Sequence, residues 1–129
     1  MTTLTTAFPV KRIEKSRIKD VDFSNLEFGK YISDHMLMAD FLSGKWQEPV
    51  IVPFGDIPMS PAMLSLHYGQ SVFEGMKAFL NKSGDICIFR PQKHSERLNK
   101  SLARMCMPEI PEEIFVEAIH AIVGIDQEW

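Results

Sequence analysis

The strongest structural signal in the sequence is a β-hairpin pattern in its second half. Two β-prone runs, 75–80 and 86–90, flank the polar segment 81–85, which contains Gly84. Pro91 follows directly, and proline is well tolerated in the first turn of a helix. The pattern therefore predicts a hairpin that leads straight into a helix.

Two amphipathic patterns predict helices after this hairpin. Over residues 91–107, apolar residues recur at spacings of three and four, which gives a stripe made of Leu98, Leu102, Met105 and Cys106. Pro108 and Pro111 interrupt the pattern. A second helix is expected to begin at Pro111, to end at Gly124 and to bury Ile114, Phe115, Ala118, Ile119 and Ile122.

The first half of the chain favours strands. Alternation over residues 31–38 predicts one strand, and four prolines in residues 49–63 favour short edge strands and turns there. Strands thus precede helices, which predicts an α+β fold with a mostly antiparallel sheet and helices packed on it. Residues 1–16 are predicted to be a flexible N-terminal segment.

Composition narrows the class of protein. The 129 residues are 45% hydrophobic and 24% charged, which suits one folded domain and argues against disorder. A formal net charge of −3 argues against a nucleic-acid-binding protein. The only two cysteines, Cys87 and Cys106, lack metal-ligand spacing and are interpreted as buried, reduced thiols.

Nothing in the sequence predicts export or membrane insertion. The N-terminus has no basic and apolar signal pattern, and a membrane span needs about twenty apolar residues. A cytoplasmic, soluble location is therefore expected. The chain stops at Trp129 directly after the second helix pattern, which suggests that a longer chain has been cut.

A basic segment is the first candidate for chemistry. Residues 90–104 carry one acid, Glu96, against five basic residues, Arg90, Lys93, Arg97, Lys100 and Arg104. One interpretation is an anion site, because arginine binds phosphate through two parallel hydrogen bonds. The other is a solvated helix face, partly neutralised by a Glu96–Lys100 pair.

The segment 66–75 is the second candidate. It could be a glycine-containing phosphate loop, although it fits no established phosphate-loop pattern. Alternatively it is a turn that feeds the hairpin, with Tyr68 and Phe73 in the core. No metal site is predicted, because metal-ligand spacing is missing among the four histidines, His35, His67, His94 and His120.

Several motifs in the right order resemble the branched-chain amino-acid aminotransferases, which are fold-type IV pyridoxal-phosphate enzymes. The main ones are LHYGQSVFEGMKAF at 66–79, IFRP at 88–91 and HSERLNKS at 94–101. Shorter similarities occur at Phe28-Gly29, Ser33-Asp-His-Met36 and Asp126-Gln-Glu-Trp129. The resemblance runs from about residue 18 to the end.

The resemblance implies roles for individual residues. Arg97 corresponds to the arginine that binds the phosphate of pyridoxal 5'-phosphate. The side-chain pocket for the substrate would be lined by Phe28, Tyr68 and Phe73. The Schiff-base lysine of the family lies in its large domain, so it is expected downstream of Trp129, and Lys77 does not correspond to it. No catalytic residue is therefore assigned within this chain.

The resemblance also implies an activity. Residues 17–129 would be the small N-terminal domain of a homodimeric enzyme that uses leucine, isoleucine or valine in amino-acid biosynthesis. It transfers their amino group to 2-oxoglutarate and gives a branched 2-oxo acid and glutamate, whereas the isolated chain is expected to be inactive. A D-amino-acid aminotransferase or an aminodeoxychorismate lyase is disfavoured by the motif 75–79. A non-catalytic anion-binding module remains an alternative for the isolated chain.

Overall fold

The hairpin and both long helices form in the predicted parts of the chain, although both hairpin strands are shorter than the runs 75–80 and 86–90. The structure, a computed structural model, describes residues 7–129. Its strands are β1 (His35–Met38), β2 (Phe41–Leu42), β3 (Lys45–Trp46), β4 (Val50–Pro53), β5 (Ala78–Leu80) and β6 (Ile86–Ile88). Its α-helices are α1 (Leu64–Tyr68), α2 (Pro91–Arg104) and α3 (Glu112–Ile125), and a 3₁₀ turn covers Ile18–Asp20. The three strand pairs are antiparallel, which confirms the α+β fold.

The described chain divides into two compact units. The first unit contains residues 7–55 and Ala118–Trp129, and the second unit contains Asp56–Glu117. The prediction of a flexible segment over 1–16 lies partly outside the described residues. A single small domain over 17–129 stays a prediction.

In the first unit, β4 is the central strand. It pairs with β1 in the register Leu37↔Ile51, and Val10 forms a parallel bridge to Ile51 on the other side. The Ile51 nitrogen donates to the Pro9 oxygen over 3.0 Å, and the Lys11 nitrogen donates to the Ile51 oxygen over 2.8 Å. Ile51 is therefore paired on both edges and is completely buried.

In the second unit, the hairpin turn is held by Asn81. Its side-chain oxygen accepts hydrogen bonds from the backbone nitrogens of Ser83 and Asp85, both at 2.8 Å. Gly84 adopts a φ of 86°, which a residue without a Cβ takes at little cost. This local bonding explains why the sequence predicts the hairpin well.

Helix α2 carries the small core of the second unit. Leu98 and Leu102 are buried on one face, as predicted from their spacing. The helix ends three residues before the predicted position, because the Cys106 nitrogen bonds to the Ala103 oxygen, three residues back, and the Met107 nitrogen bonds to the Leu102 oxygen, five residues back. Cys106 then adopts a positive φ of 54° and turns the chain away.

Three expectations need correction. Cys87 and Cys106 are free but exposed, because β6 pairs only with β5 and because Cys106 lies beyond the end of α2. Helix α3 continues through Gly124 to Ile125, so the predicted stop is one residue early. Its predicted buried residues are only half-buried, whereas Ala121 is buried.

Strand β1 is also shorter than the predicted strand over 31–38, because the chain bends at Asp34 and the Ser33 oxygen accepts a hydrogen bond from Arg17. The expectation of edge strands in residues 49–63 is wrong for β4, which is paired on both sides because residues 50–52 keep their backbone N–H groups between Pro49 and Pro53. The prolines do limit its length, since β4 ends at Pro53 and the described chain has no other strand in that segment. Among the described residues, no helix combines the length and apolar character that crossing a bilayer requires.

Candidate anion-binding site

The loop before β5 and the helix α2 bring three ionisable side chains together in the second unit. Glu74 lies in the loop, and His94 and Arg97 are three residues apart on α2, so they share one face of the helix. Arg97 Nε donates to Glu74 Oε2 over 2.8 Å, and Arg97 Nη2 donates to Glu74 Oε1. His94 Nδ1 lies 2.8 Å from the same Oε1 atom. We call these residues the Glu74 cluster.

Burial and charge differ sharply within the Glu74 cluster. The side chain of Glu74 is 7% exposed, whereas that of Arg97 is 65% exposed. Hydrogen bonds from Arg97 and then from His94 lower the pKa of Glu74 to about 2, against the opposing effect of burial. The same contact with Glu74 raises the pKa of Arg97. The two groups therefore form a charged pair with two parallel contacts.

A shallow cleft of about 160 Å³ adjoins Arg97 at the start of α2. It is lined by Phe89, Arg90, Lys93, His94 and Arg97. Three of these side chains are cationic, so the cleft offers positive charge to a ligand. This arrangement favours the anion-site interpretation of the basic segment.

The solvated-face interpretation is wrong in one detail. Glu96 bonds to Lys93, three residues before it, and among the described residues it forms no ion pair with Lys100. The Lys93 contact is the main cause that lowers the pKa of Glu96. Both groups of this pair remain about half exposed, so it leaves Lys93 accessible at the cleft.

The three aromatic residues predicted at the substrate pocket are all exposed. Tyr68 is 82% exposed, Phe73 is 93% exposed and Phe28 is fully exposed. Tyr68 and Phe73 lie in the second unit, and Phe28 lies in the first. The interpretation of Tyr68 and Phe73 as core residues is therefore wrong. Lys77, just before β5, is also exposed.

A second cluster, in the first unit, was not predicted from the sequence. The Ile13 nitrogen donates to His35 Nε2 over 3.1 Å, so Nε2 carries no proton and Nδ1 is the protonated nitrogen. His35 Nδ1 donates to Asp126 Oδ1 over 2.6 Å, and the His35 backbone nitrogen donates to Asp126 Oδ2 over 2.9 Å. Both side chains are buried. We call His35, Asp126 and the Ile13 backbone nitrogen the His35 latch.

Asp34, next to the His35 latch, is a buried carboxylate with many donors. Burial would raise its pKa, but contacts with Ser16, Arg17 and Trp129 outweigh burial and lower the pKa to about 2. The Arg17 backbone nitrogen donates to Asp34 Oδ1 over 2.9 Å, and Arg17 Nη2 donates to the Ser33 oxygen over 2.5 Å. These contacts fix the entry to β1, which gives Asp34 a structural role.

No group of three histidine, cysteine, aspartate or glutamate side chains within residues 7–129 is arranged to hold a metal ion. Sequence reasoning singled out Arg97 but did not assign Glu74 or His94. Glu74 is separated from Arg97 by 23 positions, and no spacing rule predicts such a pairing. The only sequence signal for Glu74 was its position between Phe73 and Gly75, in the segment considered as a phosphate loop.

Comparisons with known proteins show which proteins the chain is similar to. No protein-family model matches the chain. The chain is 42% identical over 109 residues to branched-chain-amino-acid aminotransferase 2 of Bacillus subtilis (strain 168). It is 47% identical over 109 residues to a probable branched-chain-amino-acid aminotransferase of Staphylococcus aureus (strain MRSA252). These residues belong to the branched-chain-amino-acid aminotransferase family.

A third relative extends the similarity to another genus. The branched-chain-amino-acid aminotransferase of Mycolicibacterium smegmatis is 37% identical over 113 residues. The three alignments cover 84%, 84% and 87% of this chain, and only 30%, 30% and 31% of the relatives. The chain thus spans about a third of the length of the branched-chain-amino-acid aminotransferases it matches, which is consistent with a fragment.

Proposed function

We propose that this chain is the part of a branched-chain amino-acid aminotransferase that anchors the cofactor phosphate. The whole enzyme would transfer the amino group of leucine, isoleucine or valine to 2-oxoglutarate. The observation that carries the proposal is Arg97, an exposed guanidinium held at a cationic cleft within residues similar to such enzymes. The proposal includes a homodimeric enzyme in the cytoplasm.

The cofactor of this proposal is pyridoxal 5'-phosphate, and the residues present fit its phosphate. A phosphate needs positive charge and hydrogen-bond donors, and arginine supplies both in one planar group. Arg97 Nη1 makes no hydrogen bond to any residue of the described chain, so it can donate to a ligand. When bound, the cofactor supplies an electron-withdrawing ring for chemistry at the amino-acid α-carbon.

The exposed aromatic residues support the proposed substrate class. Side chains as large and apolar as Tyr68 and Phe73 are costly to leave in water, and both are more than four-fifths exposed. Both are proposed to line the pocket for the substrate side chain, and Phe28 of the first unit is proposed as a separate substrate contact. An aromatic wall favours branched aliphatic side chains and disfavours charged ones, because a charge would lose its water without gaining a partner.

Arg97→Ala tests the phosphate assignment. In the aminotransferase that carries this segment, the change should weaken pyridoxal 5'-phosphate binding by about 10- to 150-fold, because one charged hydrogen-bonding group is lost. The measurement is a fluorescence titration of the apoenzyme with the cofactor. Arg104→Ala, at the exposed end of the same helix, is the control and should bind normally. Unchanged affinity in Arg97→Ala would rule out the assignment.

Phe73→Ala tests the pocket assignment in the same enzyme. The change should lower kcat/KM for leucine more than for alanine, since the larger substrate loses more apolar contact, at about 1 kcal/mol for each methylene group. Steady-state rates with the two amino acids give the ratio. Phe79→Ala, a change of the same size at an exposed position of β5, is the control. Equal losses for both substrates would contradict a pocket role.

A further inference from the structure

Arg97 is held by a carboxylate that is itself almost buried. Glu74 contacts Nε and Nη2 of Arg97, which are adjacent nitrogens on one edge of the guanidinium. Two parallel contacts fix the plane of the group as well as its position. The exposed Arg97 side chain therefore has a defined orientation that its own packing would not give.

His94 holds Glu74 in turn. Its Nδ1 lies 2.8 Å from Oε1 of Glu74, and 3.4 Å from Arg97 Nη2. Hydrogen bonds from Arg97 and His94 keep the pKa of Glu74 at about 2, so the carboxylate is charged at neutral pH. Glu74 is thus bonded to two residues of α2, which restricts the conformations of its side chain.

The geometry leaves the remaining part of the guanidinium for a ligand. Glu74 uses the edge formed by Nε and Nη2, while Nη1 has no partner within the described chain. An unrestrained arginine must be ordered when it binds, and ordering a long side chain lowers affinity. A side chain that is already oriented avoids most of this cost.

We propose that Glu74 is a positioning residue that orients the Arg97 guanidinium for phosphate binding. This inference rests on the proposed function, in which Arg97 binds the cofactor phosphate. Glu74 acts through Arg97 and does not itself contact the phosphate.

Charge and positioning predict opposite results when Glu74 is neutralised. Removing a negative charge beside an anion site should strengthen phosphate binding if only charge matters. Removing the group that orients Arg97 should weaken binding in spite of the gained positive charge. The sign of the change therefore separates the two explanations.

The experiment titrates the 129-residue chain with inorganic phosphate and follows backbone and arginine side-chain NMR signals at constant ionic strength. Glu74→Gln keeps the shape of the side chain and removes its charge. We expect its Kd for phosphate to rise by about 2- to 10-fold, which corresponds to reordering one long side chain. A Kd equal to or below that of the unchanged chain would overturn the proposal.

Glu96→Gln is the control variant. It makes the same change of charge on the neighbouring acid of α2, which pairs with Lys93 at the cleft. Its Kd for phosphate should stay the same or fall. If it rises as much as in Glu74→Gln, the effect does not come from orienting Arg97 and the proposal is overturned.

Arg97→Ala in the same chain separates failure of this inference from failure of the proposed function. Loss of phosphate binding in Arg97→Ala with normal binding in Glu74→Gln overturns only the positioning role. Normal phosphate binding in Arg97→Ala overturns both, because Arg97 is then not the anion contact.

A measurement on the unchanged chain covers the case in which Glu74→Gln does not fold. The proposal requires that the Arg97 Nε proton exchange with water more slowly than that of Arg104, an exposed arginine at the end of the same helix. Slower exchange, by about tenfold or more, supports a fixed guanidinium. Equal exchange rates for the two arginines would overturn the proposal.

Discussion

Replacing Asp126 by alanine is expected to lower the free energy of unfolding by about 3 kcal/mol. Its carboxylate accepts two hydrogen bonds from His35, one from the ring and one from the backbone. Hydrogen bonds that involve a charged group contribute about 1.5–3 kcal/mol each, and the substitution leaves two buried donors without an acceptor. The loss is therefore larger than for a typical polar substitution.

Urea unfolding followed by circular dichroism measures this change. Glu128→Ala is the control, because it removes a neighbouring but exposed acid from the same segment. Surface changes of this kind stay within about 0.5 kcal/mol. An Asp126→Ala variant as stable as the control would show that the His35 latch contributes nothing to folding.

Leu102→Ala should lower the free energy of unfolding by a similar amount, about 3 kcal/mol. Leu102 is 5% exposed and, with Leu98, forms the buried face of α2. Truncating a buried leucine removes apolar contact and leaves a cavity, which costs about 2–5 kcal/mol. The substitution acts in the second unit, whereas Asp126→Ala acts in the first.

Leu80→Ala provides the same truncation at a position of β5 that is mostly exposed. Urea unfolding should show little change for this control. Amide hydrogen exchange should show the largest loss of protection over α2 in Leu102→Ala. A smaller effect in Leu102→Ala than in Leu80→Ala would contradict the assignment of the core.

The elements that were predicted well depend on local bonding. The hairpin of β5 and β6 is set by a five-residue turn, and α2 by apolar spacing after Pro91, all within a few positions of the sequence. The end of α3 was predicted one residue early, since glycine alone does not stop a helix. The Asp126 nitrogen continues the helical bonding to the Ile122 oxygen, and its side chain is bonded to His35, 91 positions away.

In the candidate site, too, the sequence predicts one residue and misses a partner that is distant along the chain. Arg97 stands out in the sequence because it lies in a basic segment within a motif of a known family. The partner that orients it, Glu74, is in another element, and only the three-dimensional arrangement shows the pairing. The exposure of Cys87 was also missed, because alternation in a strand does not reveal whether a second layer covers it.

The two units differ in how the chain builds them, and this difference affects folding during synthesis. Asp56–Glu117 is one continuous stretch, so every residue of the second unit has been made once Glu117 has left the ribosome. The first unit joins residues 7–55 to Ala118–Trp129, and its latch needs Asp126. Domains generally fold from the N-terminus as they emerge. Strands β1 and β4 are therefore synthesised well before Asp126, and they lack its contact until residues 118–129 have been added.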